Sequence, residues 1–274
     1  MNNNEELNGA QIVLEALKEQ EVETIFGYPG GAVLPIYDAI FGQNFLKHIL
    51  VRQEAGAVHA AEGYARSSGQ VGVLLVTSGP GATNVVTGLT DALMDSIPIV
   101  CITGQVPTHL IGTDAFQECD TTGITRPCTK YNYLVKDVSK LSEVIHEAFE
   151  IARSGRPGPV LIDIPKNVQL AKSFYKSRKE ISFKPHRIKS GSVDISKEFI
   201  EKLVSHIKKS TKPVLYIGGG CLNSGPKASE ELKKFAEITN IPVTTTLHGL
   251  GCYPGNGKLS IGMLGMHGTY EANL

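Results

Sequence analysis

The acid Glu54 stands between two stretches of opposite character. Before it runs HILV (48–51), an apolar run of the kind that makes a buried strand; after it, AGAVHAAEGYA reads as a helix. A carboxylate at the mouth of a strand-to-helix turn has two readings. It is an ordinary helix-start acid, favoured by ~0.3–1 kcal/mol at the positive end of the helix dipole. Or it is the working acid of a site, where partial desolvation makes a neutral or proton-sharing form accessible. Position alone leaves both open. Glu62, further along the same helix, belongs to the helix and not to the chemistry.

Three glycine-rich turns follow apolar runs: GYPGGA (27–32), TSGPGATN (77–84) and GGGCLNSG (218–225). None is followed by GK[ST], and GPGATN carries Asn84 where a dinucleotide fingerprint has its third Gly or Ala. Singly, each is what backbone geometry often requires at a strand-to-helix join. Together, at the carboxyl ends of parallel strands, they mark the edge where open α/β sheets bind ligands. His59, His109 and His248 do not stand at metal-ligand spacings and read as satisfied or surface histidines. Lys166 and Arg156 sit at loop ends, where a cation could meet an anion but where surface charges are also commonplace. Neither a GxSxG nor a Ser/His/Asp order is present, so hydrolase chemistry has little support.

The elements that must position these residues alternate along the chain. Apolar runs at 23–27, 48–51, 71–77, 97–104, 131–136 and 158–164 read as strands, and helix-period stretches fall at 8–20, 32–41, 55–67, 82–94 and 140–153. The strands are nearly continuous in hydrophobicity, which predicts a parallel sheet covered on both faces. Residues 1–170 are therefore expected to form one α/β domain. Residues 171–193 carry seven Lys/Arg and one Glu without a clear period, and read as a basic interdomain linker. Alternation resumes over 194–274 with helix 194–209, strand 213–218, helix 226–239 and strand 241–246. Two such units and a loop are too little for a free-standing domain of this type, so a truncated second domain is expected.

Bulk properties exclude several classes. Lys+Arg and Asp+Glu are both 27, and the formal net charge is zero, which gives no chain-wide footprint for nucleic acid or for a membrane surface. The longest apolar runs, such as VGVLLV (71–76), are too short to span a bilayer, and MNNNEELNGA lacks the features of a signal peptide. The five cysteines form no CxxC and signal neither a disulfide framework nor a zinc site; a cytoplasmic protein is expected.

Taken in order, FGYPGGAVLPIYDAI, RQEAGAVHAAEGYAR, VTSGPGATN, GQVPTHLIGTDAFQE, SGRPGPVLIDIPK, TTTLHGLG and MLGMHG are specific. The chain resembles the large catalytic subunits of acetohydroxyacid synthase (acetolactate synthase), thiamine-diphosphate enzymes of branched-chain amino acid synthesis. The resemblance runs from about residue 7 to the last, with the basic stretch 171–193 its one part without a motif. It implies that Glu54 is the glutamate that hydrogen-bonds N1′ of the cofactor's aminopyrimidine and promotes loss of the thiazolium C2 proton. The reaction implied is a transferase reaction: decarboxylation of pyruvate, then condensation with a second 2-keto acid, giving 2-acetolactate, or 2-aceto-2-hydroxybutyrate when the acceptor is 2-ketobutyrate.

By the same resemblance, Tyr28, Gly31, Pro80 and Asn84 would line the pyrimidine pocket. Val106, Pro107, Ala115, Phe116, Gln117 and Lys166 would line the substrate channel. FAD, which takes no part in net redox chemistry, would touch Arg156, Gly218, Gly219, Gly220, Thr246, Leu247 and the stretch Leu264, Gly265, Met266, His267. The implied fold is a parallel-sheet pyrimidine-binding domain followed by part of a Rossmann-like central domain. The implied partners are pyruvate and 2-ketobutyrate, a second copy in a homodimer or larger assembly, and a small regulatory subunit.

The chain departs from the family in one respect. The diphosphate/Mg²⁺ motif that begins GDG has no counterpart in 1–274. An amino-terminal portion, inactive alone and assigned no metal ligand, is therefore expected. Two alternatives compete: another thiamine enzyme, such as a pyruvate oxidase or oxalyl-CoA decarboxylase, and a non-catalytic interaction module. GTDAFQE and MLGMHG favour the synthase, and an acid at 54 speaks against glyoxylate carboligase.

Overall fold

In chain order the first unit runs β1 (Glu6–Asn8), α1 (Gly9–Glu19), β2 (Thr24–Tyr28), α2 (Leu34–Phe41), β3 (Lys47–Leu50) and α3 (Glu54–Ser68). It continues with β4 (Gly72–Val76), α4 (Pro80–Asn84), α5 (Val86–Asp95), β5 (Ile99–Gln105), α6 (Thr121–Thr125) and β6 (Tyr131–Leu134). It closes with α7 (Leu141–Arg153), β7 (Pro159–Pro165), α8 (Lys166–Leu170) and β8 (Lys172–Phe174). The computed structural model describes residues 6–182 and 195–274, which fall into two units, Met1–Ser190 and Gly191–Leu274.

Six strands form one sheet in the order β3-β2-β4-β5-β7-β6, with every neighbouring pair parallel. All six strands expected from the sequence are in it. Period-2 alternation sorts their side chains into two cores. Val73, Leu75, Val100, Ile102, Val160 and Ile162 face α1, α2 and α7, where Ile12, Leu17, Ile36 and Phe149 are buried against them. Leu74, Val76, Ile99, Cys101 and Leu161 face α3 and α5, meeting Ala57, Val58, Ala61, Leu89 and Ala92. Both faces are covered, which is why β4, β5 and β7 are buried along their whole length.

Helix ends follow local chemistry. Asn8 caps α1 in a reciprocal box with Gln11, and Gly69 ends α3 in the left-handed conformation. The single helix expected over 82–94 is two helices: it starts at Pro80, a residue suited to the first helical turn, and breaks at Val85. The break leaves Asn84 at the end of α4.

Part of the stretch expected to be a linker is held against the first unit. β8 pairs antiparallel with β1, and the Tyr175 hydroxyl donates to Glu19 Oε2 at 2.7 Å while the Arg178 backbone N–H donates to the same oxygen at 2.8 Å. The fully buried His146 lies 3.0 Å from that hydroxyl through Nε2 and 2.9 Å from Gln20 Nε2 through Nδ1. A three-residue strand paired across the length of the domain carries no local pattern, so it was not legible. Residues 183–193 of the expected linker lie outside the described residues.

The second unit contains α9 (Lys197–Lys209), β9 (Leu215–Ile217), α10 (Gly219–Asn223), α11 (Pro226–Thr239), β10 (Val243–Thr245), β11 (Ser260–Met263) and α12 (Tyr270–Asn273). Its parallel sheet has the order β11-β10-β9. The third strand corrects the expected pair. β11 lies in glycine-rich sequence, and its register with β10 shifts between Val243 and Thr244. The core is small: Ala236, Val243 and Tyr253, with Leu215, Ile217, Leu232 and Leu259 packed on them. No helix among the described residues is long and apolar enough to cross a membrane.

Candidate active site

Strand order reverses beside β2. The chain goes from β2 to β3 on one side and returns with β4 on the other, and open α/β sheets bind ligands at the carboxyl ends of strands flanking such a point. Three predicted stretches meet there: Tyr28 to Gly31 after β2, Glu54 after β3, and Thr77 to Asn84 after β4.

Glu54 is the first residue of α3, whose amino end is capped by Gln53; the Gln53 side chain accepts the Gly56 N–H at 3.2 Å. The carboxylate is 8% exposed. Asn84 Nδ2 donates to its Oε2 at 2.8 Å, which fixes the carboxylate plane from α4. Oε1 receives no hydrogen bond among the described residues and lies over Gly81, where an added Cβ would stand 3.6 Å from it. A buried carboxylate with one oxygen tethered and the other unclaimed has a free oxygen to offer to a ring nitrogen or N–H brought to it.

Beside it the first glycine turn leaves open space. Gly31 would meet nothing within 4 Å if it carried a Cβ, and Tyr28 and Pro80 are exposed beside it. Thr77, which the sequence did not single out, joins the turns: its Oγ1 accepts the Ala32 N–H at 3.3 Å, and Gly30 and Gly81 pack directly on it. Gly79 has φ +56°, and a Cβ there would come within 2.6 Å of the Gln117 carbonyl oxygen. Only glycine lets the segment after β5 approach so closely.

That segment carries the predicted channel residues. Val106 is buried at the end of β5, Pro107 and Ala115 are partly buried, and Phe116 is 88% exposed. Gln117 adopts a left-handed backbone at φ +58° against Gly79. Lys166 opens α8 at the end of β7, and the next residue, Asn167, clasps Thr108: Oδ1 accepts the Thr108 N–H and Nδ2 donates to its Oγ1, both at 2.9 Å. Lys166 and Pro107 therefore share one corner. Glu118, the last residue of GTDAFQE, shapes the loop. Its carboxylate accepts the N–H groups of Gly112, of Thr113 at 3.3 Å and of Ala115 at 3.0 Å. These bonds, that from Gly112 foremost, hold the carboxyl below its ordinary range.

Other predicted residues lie elsewhere. Arg156 precedes β7 and so stands at the opposite, amino edge of the sheet; Nε donates to Ser96 Oγ at 2.7 Å, and Nη2 donates to the carbonyls of Leu93 at 2.9 Å and Met94 at 2.6 Å. In this chain it caps α5. In the second unit, Gly218 to Gly220 follow β9, Thr246 and Leu247 follow β10, and Leu264 to His267 follow β11. The three stretches thus gather at one carboxyl edge. Gly249 shows how tight that edge is, since a Cβ there would meet the Ile217 carbonyl oxygen at 2.2 Å. Thr246 Oγ1 accepts the Gly249 N–H at 3.1 Å, while Leu247 and Met266 are exposed.

His59, set aside on spacing, meets two acids brought from different positions: Nδ1 lies 2.7 Å from Glu62 Oε2 and 3.8 Å from Asp91 Oδ2. Burial raises the Glu62 carboxyl above its ordinary range. This group is apart from Glu54 and Asn84 in the contacts described, and His59 and Asp91 are largely exposed.

Both units resemble known proteins. Residues 7–124 match the family profile "Thiamine pyrophosphate enzyme, N-terminal TPP binding domain", and residues 200–274 match "Thiamine pyrophosphate enzyme, central domain". The chain is 52% identical over 267 residues to the chloroplastic acetolactate synthase of Arabidopsis thaliana, covering 97% of this chain and 39% of that protein. It is 51% identical over 272 residues to the acetolactate synthase large subunit of Buchnera aphidicola subsp. Schizaphis graminum, covering 98% of this chain and 46% of that one. For the isozyme 3 large subunit of Escherichia coli (strain K12), identity is 48% over 272 residues, with 98% and 46% covered. The chain thus spans less than half the length of these curated relatives.

Proposed function

The chain belongs to the thiamine pyrophosphate enzymes, and from that premise we propose that it supplies the pyrimidine side of an acetolactate synthase active site, with Glu54 as the acid/base toward the cofactor. The observation that carries this is the buried Glu54 carboxylate, tethered through Oε2 to Asn84 and unclaimed at Oε1, at the point where strand order reverses. An aminopyrimidine ring fits there: Gly31 leaves open space, and Tyr28 and Pro80 offer exposed surfaces beside it. Thiamine diphosphate, when bound, supplies the electron sink for decarboxylating a 2-keto acid and passing the remaining carbons to a second one.

The chain's own part is proton management and positioning. Glu54 Oε1 holds or receives the proton at the pyrimidine N1′, while Asn84 keeps the carboxylate from turning. Val106, Pro107, Ala115, Phe116 and Gln117 form a wall of the channel to the reacting carbon, with Lys166 and Gln117 its polar members for the 2-keto acid carboxylate. The substrates in this reading are pyruvate and, as acceptor, pyruvate or 2-ketobutyrate. FAD is assigned to the second unit's carboxyl edge, at Gly218 to Gly220, Thr246, Leu247 and Leu264 to His267. The glycines and exposed apolar side chains of that edge suit a flat ring system. Mg²⁺ and the diphosphate are assigned to no residue of these 274. A second copy of the catalytic subunit and a small regulatory subunit are the partners. The cytoplasm is the compartment, which five free cysteines favour.

Product analysis tests the proposal. A full-length protein carrying these residues, given pyruvate, thiamine diphosphate, Mg²⁺ and FAD, is expected to yield 2-acetolactate. Acetyl phosphate or free acetaldehyde as the main product would move the assignment to another branch of thiamine enzymes.

A further inference from the structure

Asp163 lies in the core of the first unit without a part in the chemistry above. It is 1% exposed on β7, facing Thr103 and Gln105 of β5. Thr103 Oγ1 donates to Oδ1 at 2.7 Å, and Gln105 Nε2 donates to Oδ2 at 2.9 Å. The same Gln105 Nε2 donates to the Cys119 carbonyl at 2.8 Å, and Gln105 Oε1 accepts the Val106 N–H at 2.8 Å. One buried amide therefore bonds the first and last parts of the segment 106–119 and leans on one carboxyl group. The titratable groups facing Asp163 are Asp120, Cys101 and Cys119, with no cation among them. A buried acid without a counter-charge costs free energy.

We propose that Asp163 and Gln105 are positioning residues: Asp163 fixes which way the Gln105 amide points, and the oriented amide splints the base of the loop that carries Val106, Pro107 and Ala115 to Gln117. The functional side of this rests on the channel proposed above. If the amide were turned over, Nε2 would face the Val106 N–H and Oε1 would face the Cys119 carbonyl, so both bonds would become repulsive contacts. Thr103 cannot impose that choice, because it does not bond Gln105; Asp163, presenting an acceptor to Nε2, does. Loop residues then inherit their placement from the sheet. Glu118 organises the tip of the loop through its bonds to the Gly112 and Ala115 N–H groups, and Gln105 organises the base.

Substitution separates this from simple core packing. Asp163→Asn can keep its oxygen toward Gln105 Nε2 and turn its amide toward Thr103 Oγ1, which can accept, so the splint survives. Gln105→Met keeps the volume but removes every bond of the amide, and Asp163→Ala removes the acceptor. In the full-length protein, hydrogen exchange should show protection of the 106–121 amides falling about tenfold in Gln105→Met and Asp163→Ala, with the amides of β4 and β5 unchanged. Asp163→Asn should stay within about twofold of the parent. KM for the 2-keto acid should rise in the first two variants by more than kcat falls. Unchanged protection of 106–121 in Gln105→Met and Asp163→Ala overturns the proposal, as does an Asp163→Asn as loose as Asp163→Ala. A loosened loop with unaltered kinetics supports the splint and removes the channel assignment instead, so the two can fail separately.

Discussion

The helices α1 and α9 begin in the same way and end in different surroundings. Asn8 caps one and Ser196 the other, and each has an apolar stripe at helical spacing. In α1 the stripe is buried: Ile12, Val13 and Leu17 are at most 1% exposed beneath the large sheet. In α9 no residue is buried, and Phe199, Ile200, Leu203 and Val204 are all at least 41% exposed. Local sequence chemistry makes a helix in both cases, but among the described residues the stripe of α1 is covered by the large sheet and that of α9 is not. The edge of the first unit that carries Glu54 is likewise built on six strands and two packed faces, whereas the second unit's edge rests on three short strands. The Glu54 carboxylate, held by Asn84, sits on the better-anchored of the two.

The contrast predicts a graded set of stability effects. The largest belongs to the first unit's core: Leu75→Ala, at a position 0% exposed, should lower the unfolding free energy by ~2–5 kcal/mol in denaturant titrations. A loss below that range would mean that the large sheet is as loosely packed as the small one.

Next is the pH response of Asp163, whose carboxyl is pushed up to about 7 from 3.8, mainly by burial. Between those values the folded chain holds a proton that the unfolded chain releases. Stability from this group is therefore greatest at the acid end and falls as pH rises, by up to ~1.4 kcal/mol per pH unit, levelling off above about pH 7. Asp163→Asn should remove that slope, and denaturation midpoints taken across the interval will show whether it does.

Smaller still is the cap. Asn8→Ala should cost ~1 kcal/mol, since it removes the side-chain acceptor of the Gln11 N–H and leaves only the Gln11 half of the reciprocal box. The smallest effect falls on α9, where Leu203→Ala should stay within ~0.5 kcal/mol in the chain as described, its side chain being exposed. A cost of core size there would show that the stripe is covered in solution and would erase the difference between the two helices.

Residue order revealed the frame because the frame is periodic. Continuous apolar runs such as VGVLLV and IPIVCI could only be strands covered on both faces, and the large sheet is built from them. Glu54, Asn84 and the glycine turns were legible for a related reason, since each stands at a join between a strand and a helix. What stayed hidden depends on distant partners. β1 and β8 have three residues each and exist by pairing with each other. β11 is a strand because β10 offers it an edge. Gln105 and Asp163 sit two strands apart in sequence and look like polar interruptions of apolar runs until the register sets Asp163 opposite Thr103 and diagonal to Gln105. Thr77 and Glu118 act on backbone N–H groups of loops whose course no local pattern fixes. Arg156 looked free to meet an anion, yet its guanidinium is taken up by α5, an end-on contact that spacing does not reveal.

The central claim is the role of Glu54, and its most direct test is turnover of pyruvate to acetolactate by the full-length protein with Glu54→Gln, at saturating thiamine diphosphate. Glutamine keeps the volume and can still meet Asn84 but cannot exchange a proton, so kcat should fall by ~10²–10⁴ while the protein stays folded and still binds FAD. Near-parental turnover in that variant would contradict the account and return Glu54 to the ordinary acid at the start of a helix.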